Sequence, residues 1–154
     1  MRKFVLKPLW KVSLISLLVL AACSEDEVND LGQMTIPQIE SNMKSGNWII
    51  TKFIDSGVDE LNHFNGYTFI FDDNGVLTST NGSTTYEGTW SITDSNSNDD
   101  SPDDLDFNIN FNLTNDFEDL NDDWDILTIS STKIELIDIS GGNGGTDYLT
   151  FEKD

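Results

Sequence analysis

The chain has 154 residues, and its 28 acidic residues outnumber its 8 basic residues to give a formal net charge of −20 at pH 7. A protein this anionic repels phosphate backbones and anionic lipid head groups, so nucleic acids are not expected partners and electrostatic adhesion to membranes is not expected either. Cys23 is the single cysteine, which excludes a disulfide within the chain.

The first 22 residues differ in kind from the rest. They hold four of the eight basic residues and end in an apolar run interrupted only by two serines. This pattern is typical of a secretory signal peptide and is too short to span a bilayer as a helix. Residues 20–23, Leu-Ala-Ala-Cys, resemble the lipobox of bacterial lipoproteins. The resemblance implies cleavage before Cys23 and acylation of its thiol, which would attach the protein to a membrane through covalent lipid. The alternative is an ordinary secretory signal with an unmodified cysteine.

Residues 23–34 are acidic and lack a periodic apolar face, so we interpret them as a tether to a folded domain at 35–154. A short helix is predicted over Thr35–Lys44. Thr35 can cap it, Pro37 suits its first turn, and Gly46 follows its end.

From residue 48 onward, apolar and polar residues alternate with the period of two that predicts half-buried β-strands. The alternation is clearest over Leu105–Leu113, where five apolar residues are separated by Asp and Asn. Eight strands are predicted, at Trp48–Ile54, Tyr67–Phe71, Val76–Thr80, Thr85–Ile92, Leu105–Leu113, Trp124–Ser130, Lys133–Ile139 and Asp147–Glu152.

Short turn sequences connect most of these strands. Asn74-Gly75 and Asn81-Gly82 favour tight hairpins, and the glycine-rich run 140–145 is also interpreted as a hairpin, because no lysine follows it and a strand comes next. The longest interruption is the polar loop Thr93–Asp104. The predicted fold class is all-β: an eight-stranded, up-and-down antiparallel barrel with a short N-terminal helix, since closure removes exposed strand edges.

The segment "SGNWII", which holds Gly46 and Trp48 after a short helix, resembles the Gly-x-Trp start of lipocalins. "YTFIFDDNGVL" and "YEGTWSI" continue the likeness to the lipocalin-like domains of short Bacteroidota lipoproteins, over residues 45–153. The resemblance implies a ligand-binding calyx. In lipocalins this tryptophan packs beneath an arginine from a late strand. No arginine follows Arg2 here, so either Lys153 or no residue makes that contact.

The predicted barrel interior is rich in aromatic residues. An eight-stranded barrel is just wide enough to be filled by side chains or to hold one small ligand, so both a filled core and an open apolar pocket are consistent with the pattern. For the open pocket, the candidate ligand-binding residues are Trp48, Tyr67, Phe69, Tyr86, Trp90, Phe107 and Trp124, with Phe71 and Phe111 as further inward positions.

The sequence offers little for catalysis or for a cofactor. His63 is the only histidine and lies between predicted strands, where a surface residue is more usual than a general base. Residues 94–98 alternate oxygen ligands like the start of a calcium loop, but Asp99 replaces the required glycine and Leu105 the required glutamate of an EF-hand. A second acidic cluster lies within 116–125; weak calcium binding there is an alternative to a solvated acidic loop.

The sequence therefore predicts a monomeric, lipid-anchored envelope lipoprotein of the outer membrane, facing either the cell surface or the periplasm. Acidic residues directly after Cys23 resemble the export signals of surface lipoproteins in Bacteroidota. We expect a binding module, not an enzyme, whose partner is a small apolar molecule or another envelope protein. The alternative is an interaction protein with a filled barrel that acts through acidic, calcium-binding or solvated loops.

Overall fold

A computed structural model describes residues 34–94, 105–139 and 145–154. Cys23, the tether as far as residue 33, most of the polar loop and residues 140–144 lie outside these ranges. The described chain contains one α-helix and nine strands: α1 (Ile36–Met43), β1 (Trp48–Asp55), β2 (Val58–Asp59), β3 (Thr68–Phe71), β4 (Val76–Thr80), β5 (Thr85–Asp94), β6 (Leu105–Asn110), β7 (Asp122–Ile129), β8 (Lys133–Ile139) and β9 (Thr146–Lys153). Two 3₁₀ helices lie at Leu61–Phe64 and Asp116–Leu120.

Eight of the strands close into an antiparallel barrel in chain order. Each strand from β3 to β9 pairs with the next, and β1 closes the circle against β9 from Trp48–Lys153 to Ile54–Tyr148. On its other side β1 meets β3 at one pair, Trp48–Phe69. The predicted all-β, eight-stranded, up-and-down barrel with a short helix is confirmed.

The strand boundaries agree with the prediction to within two residues except at the end of β6, and one further strand was not predicted. Strand β6 ends at Asn110 instead of Leu113, and β7 begins at Asp122 instead of Trp124. The two-residue strand β2 was not predicted; it forms a hairpin with the end of β1 through Ser56 and Gly57, which both adopt positive φ. The hairpin is short enough that no alternating pattern marks it.

Helix α1 forms where its capping residues predict it. The backbone N–H of Thr35 donates to the side-chain carbonyl of Gln38 at 2.8 Å, and Pro37 lies in the first turn. Ile39 and Met43 are fully buried against the barrel core. The Trp48 indole N–H donates to the Met43 carbonyl at 2.8 Å, so the helix is fixed against one end of the barrel. Among the described residues, no helix combines the length and apolarity needed to cross a membrane.

The two ends of the barrel are different. We call the end next to α1 the helix end; it also carries the β3–β4 and β7–β8 hairpins, and Lys44 pairs there with Asp73 at 3.1 Å. We call the opposite end the mouth; it carries the β1–β2 and β4–β5 hairpins and the segment between β6 and β7. Since the chain enters through α1, the mouth lies at the far end of the barrel from residue 34.

Candidate functional site at the barrel mouth

The seven residues predicted to line a ligand pocket all point into the barrel, where they pack against other side chains. Trp48, Phe69, Phe107 and Trp124 are at most 1% exposed, and Trp90 is 6% exposed. Tyr67 and Tyr86 are partly buried and stack at the mouth with their ring centres 6.1 Å apart.

These residues belong to two groups along the barrel axis. Toward the helix end, Trp90 contacts the rings of Phe71 and Phe107 at 5.2 and 6.0 Å between centres. Its indole N–H donates to the Asp72 carbonyl at 3.2 Å. Toward the mouth, Trp124 and Phe64 both lie against Phe53, at 6.5 and 5.3 Å. The structure thus brings the seven predicted residues into or against one hydrophobic core.

A residue outside the strands completes the packing at the mouth. Phe117 comes from the 3₁₀ helix Asp116–Leu120, which we call the plug segment, and it is 3% exposed. Five aromatic rings surround it with centres between 4.7 and 6.1 Å away, namely those of Phe64, Tyr67, Phe69, Tyr86 and Phe111. Phe117 therefore occupies the position in the barrel mouth that a bound ring would take.

Three hydrogen-bonded contacts hold the plug segment in place. The Asn115 side chain accepts from the Phe117 backbone N–H at 3.2 Å. The Asn121 amide bonds the backbone of Phe111 at both its N–H and its carbonyl. The Trp124 indole N–H donates to the Leu120 carbonyl at 3.1 Å. Asn115 and Asn121 thus fix the two ends of the segment.

A buried hydroxyl faces this aromatic cluster. Ser79 on β4 lies directly opposite Phe69 on one side and Tyr86 on the other. Opposed residues on adjacent strands share a face, so the Ser79 side chain points inward beside two of the rings that contact Phe117. The residue is 0% exposed, and its hydroxyl has no hydrogen-bond partner among the described residues. An unpaired buried hydroxyl is costly, and its position marks the wall of the site as polar at one point.

Carboxylates line one side of the mouth, where β7, β8, β9 and β1 are neighbours. On each of four strands the inward-facing position one step beyond the last buried core residue is an aspartate: Asp55, Asp122, Asp138 and Asp147. All four are half-buried. Asp138 and Asp147 are direct partners across β8 and β9, and Asp147 accepts from the Ser56 backbone N–H at 2.6 Å. The alternation that places aromatic residues inside therefore also places acid at the rim.

Partial burial and neighbouring carboxylates raise the pKa of two carboxyl groups at the mouth. Partial burial, with the neighbouring carboxylates of Asp123 and Asp138, raises the pKa of Asp122 to about 6. Partial burial and the carboxylates of Asp55, Asp116 and Glu118 also raise the pKa of Asp119 above its usual range, against a smaller opposing effect of His63. Both shifts have the direction expected for acids that repel one another in partly desolvated positions.

Positive charge is concentrated away from the mouth in the part of the chain that the structure describes. Lys44, Lys133 and Lys153 lie at the helix end, and Lys133 pairs with Glu135 at 2.6 Å. Lys52 lies over the Tyr148 ring at 4.2 Å. His63, in the first 3₁₀ helix, has its Nδ1 buried 3.8 Å from a Glu60 oxygen. The mouth therefore has a negative potential that can attract cations.

The carboxylates at the mouth do not converge. Within residues 34–94, 105–139 and 145–154, no three His, Cys, Asp or Glu side chains are grouped closely enough to hold a metal ion. The acidic residues of the predicted second cluster divide between the plug segment and β7, and the loop proposed from residues 94–98 lies outside the described ranges after Asp94. The arrangement suits an extended or bulky cation better than a bare metal ion, which needs several oxygens at one point.

Two shallow depressions lie on the surface formed by the described residues. One, of about 360 Å³, follows the seam where β1 and β3 diverge and is lined by Ile49, Phe64 and Tyr67 among others. The other, of about 390 Å³, lies beside the first 3₁₀ helix at Asp59 and Leu61. Two exposed apolar residues, Val58 and Ile139, lie on strand ends at the mouth and are 56% and 67% exposed. The mouth thus combines acid with exposed apolar side chains, as protein interfaces do.

Sequence reasoning missed Phe117, Ser79 and the order of the aspartates at the mouth. Phe117 and Leu120 are spaced by three in an acidic stretch, a signal of one apolar helix face that the surrounding charge conceals. The row of aspartates cannot be found without the strand register, because only register shows which aspartates lie side by side.

Fold and site together define a closed, eight-stranded antiparallel β-barrel with an aromatic interior and an acidic mouth. A solved structure of a DUF4847 family protein from Bacteroides vulgatus ATCC 8482 is similar to this chain, with 19% sequence identity and a TM-score of 0.47 over 75% of this chain and 97% of that chain. No family model matches the sequence, and no curated protein matches it.

Proposed function

We propose that the protein is a lipid-anchored lipoprotein of the bacterial outer membrane and acts as a binding module, not as an enzyme. The anchoring part of the proposal is supported by the lipobox-like residues 20–23 after a basic and then apolar leader. Replacement of Cys23 by alanine should abolish incorporation of labelled fatty acid and move the protein from the membrane to the soluble fraction. Retention of label and membrane association in the C23A variant would refute the anchor. Protease added to intact cells distinguishes the cell-surface from the periplasmic face.

The binding surface in this proposal is the mouth, and the partner is a positively charged region of another envelope protein. The observation that carries the proposal is the row of Asp55, Asp122, Asp138 and Asp147 along one side of the mouth of a filled barrel. Because aromatic side chains occupy the interior, a partner meets the rim first. Complementary charge speeds such encounters and selects among partners.

Orientation supports the same surface. A lipid on Cys23 would be joined to α1 by the tether, and α1 lies at the helix end. The mouth is then the part of the barrel farthest from the attachment point. Val58 and Ile139 would add apolar contact beside the carboxylates.

A photo-crosslinking residue placed in living cells tests this surface. Position Glu118 is exposed at the mouth, and Thr132 is exposed in the β7–β8 turn at the helix end, which makes it a matched control. We expect a crosslinked protein from position 118 but not from position 132, and we expect the product to be lost when Asp55 and Asp147 are both changed to asparagine. Equal products from both positions, or a product indifferent to these charges, would contradict the proposal.

A further inference from the structure

Phe117 lies in a cage of five aromatic rings that belong to other parts of the chain. Phe69 and Tyr86 come from β3 and β5, Phe64 from the first 3₁₀ helix, and Tyr67 and Phe111 from residues that border β3 and β6. None of the five belongs to the plug segment, Asp116–Leu120. The cage is therefore a property of the barrel, and Phe117 is its occupant.

The chemistry of the surroundings indicates what else could occupy the cage. Aromatic faces attract cations, and a cage of rings is the arrangement that binds methylated ammonium groups. In the closed arrangement, the entrance is bordered by Asp55 from β1 and by Asp116 and Asp119 from the plug segment. The charge of Asp116 acts on Tyr67, and the charges of Asp55 and Asp116 act on Asp119. The dispersed carboxylates do not form a metal site within the described residues. A bulky organic cation satisfies both the rings and the rim.

Ser79 supplies an independent indication of a ligand. Its fully buried hydroxyl points inward from the barrel wall, between Phe69 and Tyr86, and has no hydrogen-bond partner in the described structure. Buried hydroxyls are normally hydrogen-bonded. A ligand with a hydroxyl or other polar group beside its cationic head could pair with Ser79, whereas the Phe117 ring offers no hydrogen-bonding group.

We propose that Phe117 is a displaceable occupant of an aromatic cage, and that the cage takes a small organic cation of the methylated-ammonium class when the plug segment withdraws. The proposal rests on the proposed function in one respect only, that the mouth is the binding surface. In the closed arrangement the carboxylates of Asp55, Asp116 and Glu118 repel that of Asp119. Withdrawal of the plug segment separates Asp119 from Asp55 and relieves part of that repulsion, and a cation in the vacated cage stabilises the open arrangement, so binding and displacement of the plug favour each other.

Choline and 3,3-dimethylbutan-1-ol are suitable probes, because the second is the uncharged carbon isostere of the first. In the full-length protein, choline should shift the backbone amide NMR signals of residues 116–120 and of Gly88, which lies beneath Phe111. The isostere should bind at least about tenfold more weakly, because it lacks the charge that the rings and carboxylates attract. The wild-type protein failing to respond to choline, or binding both probes equally, would overturn the proposal.

Variants at Phe117 test the displacement step. Phe117→Ala should bind choline at least about tenfold more tightly than the wild type. In the variant no ring competes for the cage, so choline binds without first having to displace the plug segment. Phe117→Leu, a smaller change, should show the same trend if the alanine variant does not fold. Phe71→Leu is the matched control for Phe117→Leu: it makes the same side-chain change among rings at the helix end, far from the carboxylates of the mouth, and should leave the choline affinity unchanged. A Phe117 variant that binds no more tightly, or a Phe71 variant that gains equally, would refute displacement.

The two proposals fail separately. If position 118 gave no charge-dependent crosslink but choline still bound, the proposed protein partner would be refuted and the cage site retained. Absence of choline binding would remove the cage site while the rim could still contact a protein.

Discussion

The ammonium group of Lys153 lies over the ring of Trp48, 5.2 Å from its centre. The two residues are direct partners across β1 and β9, at the point where the barrel closes. The sequence predicts that either Lys153 or no residue takes the place of the arginine that packs on this tryptophan in lipocalins. In the structure Lys153 makes the contact. Its Nζ also approaches the Ser45 hydroxyl at 3.4 Å, so one side chain joins the loop after α1 to the seam of the barrel.

Lys153→Met should reduce the free energy of unfolding by about 0.5–1 kcal/mol, since methionine keeps the apolar stem but removes the cation over the ring. Lys153→Arg is the matched control and should retain the stability, because guanidinium stacks on aromatic faces. Urea denaturation followed by tryptophan fluorescence measures both variants. Equal midpoints for the methionine variant and the wild type would show that the contact contributes nothing.

The alternating pattern predicted most of the barrel because its physical basis is local. Leu105, Phe107 and Ile109 alternate with polar residues, and all three are buried. The plug segment was not predicted, because three of its five residues are acidic and its composition is that of a solvated loop. Its position also depends on cage residues that lie far away in the chain. The same holds for the aspartates at the mouth: Asp138 and Asp147 become neighbours only through the β8–β9 register.

Gly88 lies at a close approach between β5 and the end of β6. A Cβ atom at this position would lie 2.5 Å from the Asn110 carbonyl oxygen and 2.7 Å from the Phe111 ring. Gly88→Ala should therefore destabilise the fold by about 2–3 kcal/mol, as overpacking in cores does. Thr89→Ala, on the exposed face of the same strand, should change the free energy of unfolding by less than about 0.5 kcal/mol. Thermal and urea unfolding of the two variants side by side give the comparison; a stable Gly88 variant would mean that Phe111 moves freely.

Ser79→Ala should stabilise the protein by about 1 kcal/mol, because it removes a buried hydroxyl without a partner and leaves a methyl group of nearly the same size in an apolar wall. Ser91→Ala on the exposed face of β5 is the control and should have little effect. If Ser79→Ala instead lowered the urea midpoint, the hydroxyl would be hydrogen-bonded in solution, for example to a buried water molecule.

The pKa of Asp122 gives the stability a pH dependence with a definite sign. Its folded-state pKa of about 6 is above the ordinary value of 3.8. Between these values the native state binds more protons than the unfolded state, so this group favours folding below about pH 4, and its contribution is lost as the pH rises through about 6. The full linkage would approach 3 kcal/mol, but the side chain is partly solvated, so about 1 kcal/mol is the expected effect after screening.

Asp122→Asn removes this ionisation while preserving the side-chain oxygen that accepts from the Asp123 backbone N–H at 2.9 Å. At pH 7.5 the variant should be about 1 kcal/mol more stable than the wild type, and at pH 4 most of that difference should be lost, because the native-state carboxyl is then neutral and the unfolded-state carboxyl, at its ordinary pKa of 3.8, is only about half ionised. Asp125→Asn, at an exposed position on the same strand, controls for the loss of one negative charge from a highly anionic protein. Urea unfolding of the three proteins at the two pH values is the measurement. The prediction fails if the Asp122 variant is more stable by the same amount at both pH values, or if Asp125→Asn is stabilised equally. Either result would mean that the carboxylates at the mouth do not hold Asp122 in a destabilised charged form.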